Sequence, residues 1–470
     1  MADGFLFDMN RCTGCDACRL ACTIENELRA DFSWRRVETF NPRHYPAAPV
    51  YHLSLACFHC AEPVCMYACP ALAFSRDTVT GAVLLDDRKC IGCGYCAWAC
   101  PYDAPVLDRR RGVMTKCTLC IHRLNEGLRP ACTTLCPTGA LDFGELPEAE
   151  PPTDVAGFPE VDLGPRLRIT PLRPDRLRPE LAAPKVGSPV VAAADSRAPE
   201  MSLRSEWPLW AFTSLAATLV ALVASTVAGA LSVNPVLFVD AVVLTLGLGA
   251  LHLRKVRRAY RIVLNVRRSW LSREIVTVCA FFALATVYLW PGPGVPALGA
   301  LATLVGFLAL LCADQVYSVL KGSGPVYRHS ASVLWTGFFL TAVFTGTAWL
   351  AAVFGFGKLA LYVLRKLDFA SRGRPVRPIL IVARLALGLL TPLALWLIDP
   401  AGLRGYIIGL VLFGELIDRG EYYGELESGS PRGLLAAELE KQVRTDVMGG
   451  APGLDGGFGG AGSSWGLGRH

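Results

Sequence analysis

Sixteen of the 18 cysteines in this 470-residue chain lie before residue 137, in four clusters. They are Cys12, Cys15, Cys18 and Cys22; Cys57, Cys60, Cys65 and Cys69; Cys90, Cys93, Cys96 and Cys100; and Cys117, Cys120, Cys132 and Cys136. The first and third have the spacing C-x2-C-x2-C-x3-C, and Pro70, Pro101 and Pro137 follow the last cysteine of three clusters. Three thiolates on so short a loop wrap three corners of a [4Fe–4S] cubane, and the fourth, entering a helix, reaches a neighbouring cluster. Small residues such as Gly14, Gly92 and Gly94 let the backbone approach, so that N–H groups can donate to sulfur. Sixteen thiolates then supply four [4Fe–4S] clusters. Structural zinc uses pairs of C-x2-C without this continuation into a third and fourth cysteine. Disulfides need an oxidising compartment, and residues 1–11 are too short and polar for a secretory signal. Arg35 and Arg36 form an arginine pair, but no apolar stretch follows it.

The elements that must carry these loops are short. Gly4 to Asp8 alternates as a strand entering the first loop, and Trp34 to Phe40 and Val50 to Leu55 read as strands continuing that small sheet. Phe74 to Asp86 reads as a hairpin turning at Gly81, and Leu141 to Gly144 closes the domain. The expected fold class is an α+β double-ferredoxin iron–sulfur domain over residues 1–145, one ferredoxin unit inserted within the other. An all-α polytopic transmembrane helix bundle follows it. Cluster ligation contributes folding free energy that so small a core would lack. Eleven prolines between 146 and 200 point to a Pro-rich linker over 146–205, although Leu167 to Thr170 could pair as one strand.

Hydrophobic content of 52% with charged content of 18% is too apolar for a purely soluble protein. No charged residue occurs from Trp207 to Val239, from Val276 to Ala313 or from Ala331 to Gly357. At about 20 residues per span, seven spans are expected, near 208–231, 235–252, 275–291, 295–313, 332–355, 378–398 and 403–418. They make residues 206–427 a transmembrane, quinol-binding anchor. Residues 428–470 form a polar, Gly-rich tail, with a short amphipathic helix over 430–446. The net charge of +6 does not suggest nucleic acid. Eight Lys/Arg in the loop from Arg254 to Arg273, against six from Lys358 to Arg377, lean the cluster domain towards the cytoplasmic face, with the periplasmic face as the alternative.

Clusters move single electrons and transfer no groups, so the wire needs a donor and an acceptor. A membrane domain suggests a lipid-soluble quinone, which also exchanges protons. Ionisable residues at span ends are His252, Glu274, Asp314 and Glu415. Each is a candidate for function, or merely marks where a helix reaches water. His252 and Glu274 flank one loop on one membrane face. There an imidazole could bond a quinone oxygen and a carboxylate could accept the hydroxyl proton. With only His252 and His329 in the spanning region, no haem is expected. Cys279 and Cys312 read as small packing residues. No G-x-G-x-x-G, P-loop or nucleophile elbow is present, so a partner subunit must carry the substrate chemistry.

Residues 5–145 resemble the four-cluster iron–sulfur subunit of the dimethyl sulfoxide reductase family of molybdenum enzymes. The resemblance rests on CTGCDACRLAC, CFHCAEPVCMYACP, CIGCGYCAWACPYDAP and KCTLCIHRLNEGLRPACTTLCPTGALDFG. Residues 206–427 resemble the membrane anchor of the same enzymes through EWPLWAFT, LHLRKVRRAYRIVLNVRRSWLSREI and GELIDRGEYYGEL. The resemblance implies a fusion of the two subunits, with ligands exchanged between runs one and four and between runs two and three. Cys12, Cys15 and Cys18 would share a cluster with Cys136, and Cys117, Cys120 and Cys132 with Cys22. Cys57, Cys60 and Cys65 would pair with Cys100, and Cys90, Cys93 and Cys96 with Cys69. It further implies menaquinol binding and oxidation at His252 and Glu274, and a molybdopterin catalytic partner of the Mo-bisMGD type. The setting would be the inner membrane of a prokaryotic cell. Reverse flow, from a substrate-oxidising partner to quinone, is the alternative; a membrane-tethered zinc scaffold is a third reading. The family anchor has eight spans, one more than the seven expected here.

Overall fold

The computed structural model describes residues 3–173 and 203–449, apart from 30–31, 46–47, 147–154, 156–157, 160, 291–293, 320–328, 372–375 and 427–430. Residues 174–202 of the expected linker and 450–470 of the expected tail lie outside the described residues.

The cysteine-bearing half runs β1 (Asp3–Asp8), α1 (Ala17–Glu25), β2 (Arg36–Phe40), β3 (Tyr51–Leu55), α2 (Val64–Ala68), β4 (Phe74–Arg76) and β5 (Val83–Leu85). It continues with α3 (Tyr95–Ala99), β6 (Val106–Asp108), β7 (Val113–Thr115), α4 (Ile121–Asn125), α5 (Ala131–Thr134), β8 (Leu141–Glu145) and β9 (Leu167–Thr170). β1 is the middle of a three-stranded sheet, antiparallel to β8 and parallel to β9, with Phe5 opposite both Phe143 and Leu167. Phe5, Phe7, Leu141, Leu167 and Ile169 alternate inward and join Phe40, Leu53, Phe58 and Tyr102 in one core. Leu167–Thr170 therefore belongs to the sheet, within the stretch expected as linker. Because β9 occupies the edge of β1 opposite β8, β2 and β3 do not continue that sheet as expected; they pair only with each other. β4–β5 is the expected hairpin, and β6–β7 forms another between Cys100 and Cys117.

The second half is helical: α6 (Leu203–Val227), α7 (Pro235–Leu251), α8 (Trp270–Leu289), α9 (Pro296–Val316), α10 (Val333–Thr345), α11 (Ala348–Ser371), α12 (Pro378–Leu385), α13 (Thr391–Ile398), α14 (Arg404–Glu425) and α15 (Pro431–Gly449). Among the described residues, five helices are long and apolar enough to cross a membrane. They are Glu206–Val227, Trp270–Leu289, Pro296–Val319, Ala348–Ser371 and Pro378–Ile398. α7 makes a sixth if joined to the turn of 3-10 helix at Val256–Asn265, which bends away from it by 92°. The expected span at 332–355 is divided. α10 stops at Gly346, whose φ of 74° closes the helix in the left-handed conformation, and α11 begins two residues later.

α11 also changes the charge reading of 358–377. Lys358, Arg365 and Lys366 are not loop charges; they sit in α11 and turn inward on the acids of α14. Lys358 Nζ lies 2.8 Å from Glu415, Arg365 2.8 Å from Asp418, and Lys366 2.7 Å from Glu421. Arg384 of α12 adds a 2.8 Å contact to Glu415. Beside them a turn of π-helix (Ala386–Leu390) joins α12 to α13, and Gly388 meets Gly414 of α14. A Cβ on Gly388 would come within 2.6 Å of the Gly414 Cα, so both positions need glycine for this approach.

α15 returns to the cysteine-bearing half. Leu435 is buried in its core, Leu439 packs beside it, and Arg432 Nε lies 3.7 Å from Glu38 of β2. Leu435→Ala is expected to cost about 2 kcal/mol, read as a lower denaturation midpoint and faster proteolysis at α15. An unchanged midpoint would mean that the helix does not rest there.

Candidate iron–sulfur centres and membrane-face site

The third residue of the first C-x2-C step in each cluster has a left-handed backbone: Gly14 (φ 71°), His59 (46°), Gly92 (71°) and Leu119 (62°). This fourfold device turns successive thiols to one side of each loop. Only the two glycines announce it in the sequence, because His and Leu adopt the same conformation at a steric cost. Backbone N–H groups then aim at sulfur. Gly92 and Met114 donate to Cys90 Sγ at 3.4 and 3.3 Å, Leu119 to Cys117 at 3.3 Å, Ala73 to Cys69 at 3.4 Å and Leu141 to Cys136 at 3.4 Å.

Thiols whose charges act on one another fall into four sets. Cys12, Cys15, Cys18 and Cys136 form one, and Cys22, Cys117, Cys120 and Cys132 another. Cys57, Cys60, Cys65 and Cys100 form the third, and Cys69, Cys90, Cys93 and Cys96 the fourth. Between sets, charge acts from Cys18 on Cys132, from Cys57 on Cys117 and from Cys65 on Cys96. The order is thus linear. Burial pushes Cys12 up to about 11 and Cys22, Cys60 and Cys93 up to about 12, so these thiols hold their protons until a metal displaces them. The thiols in fours, with N–H donors aimed at sulfur, fit [4Fe–4S] clusters.

The fourth set lies against the helical half. The loop after α7 grips the backbone that carries it: His252 Nε2 bonds to Cys93 O (2.8 Å), Arg258 to Cys90 O (3.0 Å), Asn265 to Cys69 O (2.9 Å) and Ser269 to Ala68 O (2.9 Å). A carbonyl only accepts, so Nε2 carries the hydrogen and Nδ1 keeps its lone pair in the neutral ring. Nδ1 stands 3.4 Å from Glu206 Oε2, a partner that sequence reasoning missed although this acid directly precedes the apolar run of α6. Trp98 of α3 packs between His252 and Tyr317, with ring centroids 6.0 Å from each.

Glu274, in the first turns of α8, is only 5% exposed, and its side chain makes no hydrogen bond among the described residues. Arg419, Asp314, Tyr95 and Cys312 lie within its electrostatic reach. His252 and Glu274 do not touch; both face α3, through Trp98 and Tyr95. The other two boundary acids are taken up structurally. Asp314 accepts from Ser332 Oγ and from the N–H groups of Val333 and Leu334, capping α10. Glu415 is paired to Lys358 and Arg384. Cys312 is buried and Cys279 exposed, neither near the thiol sets.

A model of the 4Fe-4S dicluster domain matches residues 48–146. A chain of the anaerobic dimethyl sulfoxide reductase from Haemophilus influenzae is 37% identical over 173 residues, covering 32% of this protein and 84% of that relative. This chain is a member of, and belongs to, the family of dimethyl sulfoxide reductase iron–sulfur subunits. The corresponding chain of the Escherichia coli K12 enzyme is 40% identical over 153 residues, 31% of this protein and 74% of its own length. A subunit of sulfite dehydrogenase from Allochromatium vinosum is 35% identical over 173 residues, 32% and 72% respectively. This member of the dimethyl sulfoxide reductase subunit family is an electron-transfer subunit of an oxidoreductase complex, with [4Fe–4S] clusters and a catalytic partner. Its helical remainder fits a multi-pass membrane anchor, which makes the chain a fusion.

Proposed function

We propose that this chain oxidises menaquinol at the junction of its halves and passes the electrons through four [4Fe–4S] clusters to a molybdopterin catalytic subunit of the Mo-bisMGD type. The four thiol sets are read as the four ligand sets. The clusters, when bound, carry one electron at a time. The observation that supports the reading most is the 2.8 Å bond from His252 to the carbonyl of Cys93, which fixes an imidazole against the membrane-side thiol set. Nδ1, unprotonated in the neutral ring, can take a proton from a quinol hydroxyl, with Glu206 at 3.4 Å to stabilise the imidazolium. Glu274, buried and unbonded, is the acceptor for the second proton. The reading puts residues 206–427 in the prokaryotic inner membrane. The basic loop on the cluster side favours the cytoplasmic face, over the periplasmic, for the cluster domain.

His252→Leu tests it. The expected result is at least a 100-fold loss of quinol-driven cluster reduction, with iron content and dithionite-reduced EPR signals unchanged. Full quinol oxidation in that variant would sink the quinone reading; a chain holding zinc in place of iron would sink the cluster reading. The similarity to a subunit of sulfite dehydrogenase favours a second reading, in which the same path runs from a substrate-oxidising partner to quinone.

A further inference from the structure

Arg35, at the start of the β2–β3 hairpin, is only 1% exposed. Its Nη1 donates to Ser54 Oγ at 3.0 Å, and that hydroxyl lies 3.5 Å from Cys18 Sγ. The guanidinium stands 4.5 Å over the ring of Phe5, while Nη2 is buried with no hydrogen-bond partner among the described residues. Among the described residues no carboxylate pairs with it. A guanidinium stays charged in any protein environment, and a buried unpaired charge is strongly unfavourable. The groups around it are Cys18 of the first thiol set and Cys22, Cys117 and Cys132 of the second. Its neighbour behaves differently: Arg36 donates to the carbonyls of Tyr102 and Asp103 and pairs with Glu38 at 3.2 Å. Arg36 thus has a complete structural role, and Arg35 lacks its counter-charge.

We propose that Arg35 is a positioning charge for electron transfer, its fixed cation raising the reduction potentials of the clusters held by the two thiol sets farthest from the membrane face. This rests on the four-cluster ligand reading above. A cluster that accepts one electron becomes one unit more negative. A cation fixed between two such clusters favours the reduced form of each, and more so in a low-dielectric interior. Electrons arriving from the membrane side are thereby drawn to the far end of the wire.

The test is an EPR-monitored redox titration of the whole complex carrying Arg35→Gln or Arg35→Lys, with signals assigned through Cys15→Ser and Cys120→Ser. With iron content intact, Arg35→Gln is expected to lower the reduction equilibrium of the two adjoining clusters at least tenfold, about 59 mV for a one-electron couple. The other two should stay within about threefold, and Arg35→Lys should hold all four within about threefold, roughly 28 mV. Unchanged potentials in Arg35→Gln would overturn the proposal, as would an equal fall in Arg35→Lys. If Arg35→Gln loses iron, Arg35→Lys decides: full iron with unchanged potentials supports the charge, and iron loss there too makes Arg35 a packing residue and overturns it. Fewer than about sixteen irons in the unaltered complex would instead overturn the four-cluster reading.

Discussion

Glu274→Gln is expected to lower quinol-driven reduction of the clusters by about 100-fold or more. The change keeps shape and volume and removes the ability to accept a proton. Glu274 suits such a test because its side chain has no hydrogen bond to lose among the described residues, so folding should be little affected. A pre-steady-state mixing experiment with a menaquinol analogue would report it. Dithionite should still reduce every cluster, which separates a lost proton acceptor from a broken wire. Activity within tenfold of the unaltered protein would remove Glu274 from the chemistry and leave His252 to act with another base.

Asp418→Ala is expected to destabilise the helical half by about 3–5 kcal/mol, the usual result of removing one partner from a buried ion pair. Asp418 is fully buried between α11, α12 and α14. It faces Arg365 at 2.8 Å and Arg384 at 3.9 Å and accepts from Ser330 Oγ at 3.0 Å. Without it two guanidinium groups lose a common counter-charge in a region with little water to replace it. Thermal unfolding in detergent, followed at α11 and α14, would show the loss, and the iron content of the cysteine-bearing half should hold. A change below about 1 kcal/mol would be the cost of an exposed pair and would show that water reaches this network.

The cysteine spacing carried the first half well, because ligation by short loops leaves the backbone few choices. The N-terminal strand, the Gly81 hairpin and the closing strand at Leu141 all stand where the alternation placed them. β9 was hard to read because a four-residue parallel strand among prolines has almost no periodic signal; its partner β1 supplies the reason for it. The helical half was legible in the uncharged runs of α6, α8 and α9, whereas the equally uncharged run at 332–355 is divided at Gly346. It failed at α11 and α14, where Lys358, Arg365, Lys366, Glu415 and Asp418 interrupt hydropathy yet are buried, each charge answered by one on another helix. Hydropathy sums cannot see such pairing across 53 to 57 residues of sequence. The roles of Glu206 and Arg35 were missed for a similar reason: one precedes an apolar run and the other belongs to an arginine pair, but each gains its meaning from groups far along the chain.

The junction between the halves is made largely with carbonyl oxygens. His252, Arg258, Arg261, Asn265 and Ser269 all donate to main-chain acceptors between Tyr67 and Cys93, and the Lys255 N–H does the same at Ile91. Such a contact registers the path of the cysteine loops and is largely indifferent to their side chains. Substitutions at loop positions that offer only their carbonyls can therefore accumulate without uncoupling the halves, unlike those at Tyr95 and Trp98, whose side chains pack on the helical half. One inserted residue, by contrast, would shift the acceptors that follow it. A related cysteine domain with the same loop lengths should be interchangeable at this seam, which gives a modular joint on which the cysteine-bearing and helical parts can diverge at different rates.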